Sequence, residues 1–270
     1  MYANREVFSN APLALVVAEV RFTDSPRLRQ QETLDAMAIA LEERFPYSKP
    51  HVHFNIIEPS GPDVPPQVEQ QQRVVLTNTA STESLTITPS ALTYETTAYR
   101  EFDDLCSGVT AACDALIGAK VRPALLRVGL RYINEIRIPE PITDVREWSK
   151  WIDSSILGPS AIGSHDVAVR TAQGIVAFDL GDGNGLNFQY AALNQNPIVQ
   201  PQLLKRKSFQ PGPFFVLDFD GYHEFDAQDA VPLLAEEAAK VLTAVHDPAG
   251  EAFQRVITED ARILFRGGTA

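Results

Sequence analysis

The sequence holds only two cysteines, few basic residues for its acidic ones, and no recognised catalytic signature. Cys106 and Cys113 lie seven residues apart in a helical pattern, too distant to bridge within a straight helix, and read as reduced core residues. Lys and Arg number 23 against 35 Asp and Glu, a net charge of −12, and the acidic excess is shared by both halves. With no basic half there is no positive field to draw in nucleic acid or an anionic membrane, so neither partner is expected. The first apolar stretch, Ala11–Ala18, is short and contains Pro12, which fits neither a signal peptide nor a membrane span. The expectation is a cytoplasmic protein. Hydrophobic residues at 44% and charged residues at 21% exclude wholesale disorder.

Chemical motifs are missing in the same way. There is no GxSxG, Walker lysine motif or cysteine-histidine signature. Gly181-Asp182-Gly183-Asn184-Gly185 is followed by a strand pattern, LNFQYA, so it reads as a hairpin turn and not as a phosphate loop. His51 and His53 share a strand face but lack further zinc ligands. Asp218 and Asp220 with His223 and Asp226 fit turn and cap roles better than a metal site. No catalytic residue, metal or cofactor is therefore expected.

Periodicity supplies the architecture. Two-residue alternation predicts strands at Leu13–Thr23, His51–Ile57, Arg73–Thr79, Ser84–Thr88, Leu92–Thr97 and Ala124–Ile138. Further strands are predicted at Asp166–Thr171, Gly174–Leu180, Leu186–Ala192 and Phe214–Asp220. A helix is predicted from Ser25-Pro26 to about Phe45, a long one from Phe102 to Gly118, a short one carrying Trp148 and Trp151, and a second long one from about Ala230 to His246, closed by Pro248. The Pro- and Gln-rich stretch Glu58–Gln72 reads as a loop. Tyr99-x-Glu101-Phe102-Asp103 recurs as Tyr222-x-Glu224-Phe225-Asp226, each after a meander and before a long helix. This predicts an α+β protein with two similar halves, 1–140 and 141–270, each a curved antiparallel β-meander packed on a long helix.

Charges on strands are the most suggestive constellation. Glu19 and Arg21, Arg127 and Arg131, and Asp218 and Asp220 are co-facial pairs. On neighbouring strands they would make either a structural ladder or a ligand-binding cleft. The Gln200–Gln210 segment is a basic island in an acidic chain. In it Lys205, Arg206 and Lys207 could meet an acidic groove on a partner while Leu203, Leu204 and Phe209 serve as apolar anchors.

Asn10-Ala11-Pro12, Glu19-Val20-Arg21-Phe22, Tyr99, Phe102, Gly129-Leu130-Arg131-Tyr132-Ile133-Asn134, Leu217-Asp218, His246, Phe253 and Ile257-Thr258 span most of the chain. In these positions it resembles a sporadically distributed prokaryotic family of conserved hypothetical proteins. The resemblance implies a soluble protein without established enzymatic activity. A patchy distribution points to a partner-dependent, defence-associated role, as an antitoxin, immunity or chaperone-like component. The expected function is thus a non-enzymatic protein-binding module, with a homo-oligomer as an option. The alternative is a ligand sensor or enzyme using a charged cleft around Arg127, Arg131, Asp218 and Asp220.

Overall fold

The computed structural model describes residues 5–57, 67–138, 140–164, 166–193, 203–206, 212–226 and 228–268, with the side chains of 49–57 and 67–72 outside the description. It is an α+β fold. Nine strands are present among the described residues: β1 (Leu13–Phe22), β2 (Tyr47–Ile57), β3 (Gln67–Thr77), β4 (Glu83–Thr88), β5 (Ala91–Thr96), β6 (Leu125–Ile136), β7 (Ala172–Gly181), β8 (Asn184–Leu193) and β9 (Phe214–Glu224). They form one antiparallel sheet in the order β2-β3-β4-β5-β1-β6-β9-β8-β7. β1 and β6 lie side by side at its centre. The helices are α1 (Gln31–Ala40), α2 (Phe102–Gly118), α3 (Ser154–Leu157), α4 (Ala235–Val256) and α5 (Glu259–Phe265).

Strand alternation decides which face the helices cover. Val16, Ala18 and Val20 of β1 and Val128 and Leu130 of β6 are buried with Leu105, Val109 and Leu116 of α2 and Leu242 and Val245 of α4. The intervening residues of β1 and β6 therefore point to the opposite face, helix-free among the described residues. Asp103 and Asp104 occupy the first turn of α2, where the helix dipole favours negative charge. Two glycines let helix and sheet approach closely. A Cβ at Gly221 of β9 would lie 2.8 Å from the Val245 carbonyl oxygen of α4, and one at Gly108 of α2 would lie 2.7 Å from the Tyr94 ring. A second cluster, beneath β8 and β9, contains Trp148, Trp151, Phe188, Phe219 and Phe265.

Several boundaries differ from the sequence expectations. Pro26–Arg29 is a 3-10 turn, and α1 is confined to Gln31–Ala40. Of the stretch read as a loop, 67–72 belongs to β3, whose polar Gln-rich run pairs along its whole length with β2. Residues 58–66 lie outside the described residues. The segment predicted as a strand at Asp166–Thr171 is irregular. The second long helix starts later and continues past Pro248 to Val256. The proline forfeits one backbone hydrogen bond, but Ala249 is buried and Phe253 and Val256 pack on the second cluster, so tertiary contacts favour continuation. The Asp182-Gly183 turn joins β7 to β8 as expected. Both residues have positive φ (51° and 76°), which suits a tight two-residue hairpin.

Candidate functional site

The charged strands are neighbours. On the helix-free face Arg127 Nη2 donates to Asp220 Oδ2 at 2.9 Å and its Nη1 lies 3.5 Å from Glu19 Oε1. Glu19 in turn meets Arg21 Nε at 2.6 Å. Arg131 forms a fork on Asp218, with Nε–Oδ1 at 2.8 Å and Nη2–Oδ2 at 2.5 Å. Gly129 leaves the space that Arg127 crosses, since a Cβ there would lie 2.5 Å from Arg127 Nη1. Burial pushes the Asp220 carboxyl up, against the opposing pull of Arg127 and Arg131. The hydrogen bond from Arg131 to Asp218 raises the guanidinium further. All six candidate charges, Glu19, Arg21, Arg127, Arg131, Asp218 and Asp220, thus engage one another across three strands. Arg131 is 44% exposed while Asp218 is only 10% exposed, so the buried member is the carboxylate and not the arginine.

The basic segment is placed differently from its expected role. Leu204 is buried at 6% among Leu15, Ile133, Phe214 and Val216 on the helix-free face. The Lys205 amide donates to the Ser81 carbonyl and its carbonyl accepts from Thr97 Oγ1, both at 2.6 Å. Arg206 donates two 3.0 Å hydrogen bonds to Glu135, whose side chain has no exposed surface. Leu204 and Arg206 therefore make intramolecular contacts. Leu203 is half-buried and the Lys205 residue is exposed, while Lys207 and Phe209 lie outside the described residues.

Other candidates are dispersed. Asp218 and Asp220 are held by arginines, His223 Nδ1 meets Asn184 Oδ1 at 3.1 Å, and Asp226 accepts from the Gln228 amide. Among the described residues no group of three or more His, Cys, Asp or Glu could hold a metal ion. His51 and His53 lie in β2, with side chains outside the description. Both cysteines are free, and burial pushes the Cys113 thiol up to about 12.

Two features were not singled out from the sequence. The first is the edge strand β7, hydrogen-bonded among the described residues only to β8. Ile175 is 66% exposed, and Val176, Phe178 and Leu180 are each 41% to 46% exposed. Those last three line a shallow groove completed by Leu186, Phe188 and the Ala252 and Val256 side of α4. The alternation legible in GIVAFDL marks a strand, but it cannot distinguish an edge from a covered position.

The second is a cavity of about 340 Å³ where residues Arg5 to Leu15 cross the ends of β5 and β6 and the second half of α4. Asn10, Tyr99, Tyr132, Asn134, His246 and Phe253, all positions that carry the family resemblance, line it. His246 stacks on Phe102 with ring centroids 4.4 Å apart, and its Nδ1 lies 2.8 Å from Tyr132 Oη. Burial, with the Arg5 cation, pulls the imidazole down to about 4. The unfolded chain therefore binds a proton between about pH 6.5 and 4 that the folded chain refuses. Stability should fall as pH drops through that window, by up to about 3 kcal/mol from this residue. Urea midpoints across the window should show a steeper decline for the unaltered chain than for His246→Phe. Parallel declines would contradict the assignment.

Neither a family model nor a curated protein matches the chain. No helix among the described residues is long and apolar enough to cross a membrane.

Proposed function

We propose that the protein is a non-enzymatic protein-binding module that takes an extended segment of its partner as an added strand along β7. One observation carries this reading: a ten-residue edge strand with four exposed large apolar side chains and a single charge, Asp179. Natural sheets ordinarily blunt such an edge with charge, proline or a covering element. An incoming strand would gain main-chain hydrogen bonds from β7. Its alternate side chains would reach the groove beside Val176, Phe178 and Leu180, which supplies selectivity.

The element order supports a duplication and, with it, a vacancy beside β7. From the centre outwards the first half runs β1, β5, β4, β3, β2 and the second runs β6, β9, β8, β7. In each, the first strand is central, a meander enters from the outer edge, and a long helix follows the last meander strand. We read these two runs as copies, with the boundary between α2 and β6 and not at residue 140, the second run lacking a counterpart of β2. One strand from outside would restore five and five, which favours a partner segment over a whole second copy. The repeated pentapeptide contributes little. Glu101 and Phe102 open α2, whereas Tyr222 and Glu224 lie within β9, well before α4 begins. Membership of the sporadic family, with an antitoxin, immunity or chaperone-like role, belongs to the same proposal and rests on the motif residues alone.

The test is Val176→Lys with Phe178→Lys, both exposed and so compatible with an intact fold. Binding to the protein retained from native-host extract should weaken by about a hundredfold or more, or roughly 3 kcal/mol. Equal affinity with an unchanged circular dichroism spectrum would remove β7 from the interface. A dimer that the two lysines convert to monomer would show that a second copy closes the edge instead.

A further inference from the structure

The cavity under the N-terminal segment has a chemical character that neither the charged ladder nor the β7 edge shares. Its walls are aromatic, with Tyr99 and Tyr132 edge to face at 5.7 Å and Phe253 from α4. Buried Asn134 lines it, and the Nδ2 of that side chain donates to the Leu217 carbonyl at 3.2 Å. His246, also in the wall, has a buried Nε2 with no hydrogen-bond partner among the described residues. Unsatisfied buried polar atoms of this kind are usually completed by water or a ligand.

The charge around the cavity runs against that of the molecule. Arg5 and Arg100 line it, and neither forms an ion pair with a described residue. The lining carboxylate Glu6 is already taken by Arg262 at 3.2 Å and Arg266 at 2.5 Å. In a chain of net charge −12, two guanidiniums that are unpaired among the described residues line one aromatic cavity and give it a local positive contribution, beside Asp103 and Asp247, which act on His246. Guanidinium is also the group best suited to a planar anion. The volume falls at the small end of ordinary ligand pockets, ~300 to 1,000 Å³.

We propose that this cavity is a binding site for a small organic anion, an aromatic ring bearing a carboxylate or phosphate. The ring lies among Tyr99, Tyr132 and Phe253, and the anionic group meets Arg5 and Arg100. This site is independent of the β7 edge, so either can fail without the other.

The experiment titrates the full chain with phenylacetate, 1-naphthoate, indole-3-acetate and phenyl phosphate, each beside an uncharged analogue: the amide of the acid, or phenol for the phosphate. Calorimetry and ligand-observed NMR read the binding. At least one anion should bind at submillimolar concentration and about tenfold more tightly than its uncharged analogue. Arg5→Gln with Arg100→Gln should abolish that preference while leaving the uncharged analogue unchanged. Both arginines are exposed, so the variant should keep its unfolding midpoint. No anion binding by any of the four, no preference over the uncharged analogues, or the same preference in the double variant would each overturn the proposal. Carboxylates binding without phenyl phosphate, or the reverse, identify the anionic group.

Discussion

Replacing Glu135 by leucine should lower the free energy of unfolding by about 3 to 5 kcal/mol. The carboxylate is enclosed, with Arg206 at 3.0 Å through both terminal nitrogens and Arg137 at 3.2 Å. Both guanidiniums are largely buried themselves, and Arg137 lies 4.4 Å over the Phe214 ring. Leucine would fit the space while removing the charge that offsets the desolvation of both. Arg131→Leu should cost less, roughly 1 to 3 kcal/mol, because Arg131 is half exposed and its loss leaves one carboxylate unpaired, where Glu135→Leu leaves two largely buried guanidiniums. Equilibrium denaturation of the two variants gives the comparison. A larger loss at Arg131 than at Glu135 would show that the ladder, and not the Glu135 cluster, holds the centre of the helix-free face together.

Trp148→Ala should also cost about 3 to 5 kcal/mol. Trp148 is buried in the 3-10 segment Val145–Lys150, against Phe215 of β9 at a centroid distance of 5.5 Å. That segment starts where Asp144 accepts from the Arg146 amide at 2.8 Å, so its position does not depend on the indole alone. Alanine there would leave a void between the connection and β9 that the capped turn cannot collapse to fill. Trp148→Phe should recover about half of the loss. A cost near or below about 1 kcal/mol for alanine would show that the connection relaxes freely and adds little to the second half.

The strand faces were legible in the sequence because alternation is local. Glu19 with Arg21, Arg127 with Arg131 and Asp218 with Asp220 share strand faces, as alternation predicts. What alternation cannot supply is lateral order. That β1, β6 and β9 lie side by side follows from β7 and β8 entering from the outer edge, which is a property of the whole sheet. Glu135 went unmarked for a related reason. Its burial depends on Leu204 and Arg206, some seventy residues later, folding back over the strand. The same fold-back turned a basic, apparently free loop into an internal contact. The run of α4 beyond Pro248 is tertiary too, since local rules end a helix there and only Ala249 and Phe253 packing extends it. Six motif residues, Asn10, Tyr99, Tyr132, Asn134, His246 and Phe253, line one cavity. Nothing in their spacing announces that convergence.

The role of β7 is tested most directly by amide hydrogen exchange along Ala172–Gly181, measured on the chain alone and with the protein it retains from native extract. In the free chain, the β7 amides that face away from β8 should exchange rapidly, because an edge strand leaves every second N–H to solvent. With the partner bound, those same amides should become protected, while the centre of the sheet at β1 and β6 stays as it was. Unchanged exchange along β7, with new protection elsewhere on the surface, would contradict strand addition at this edge.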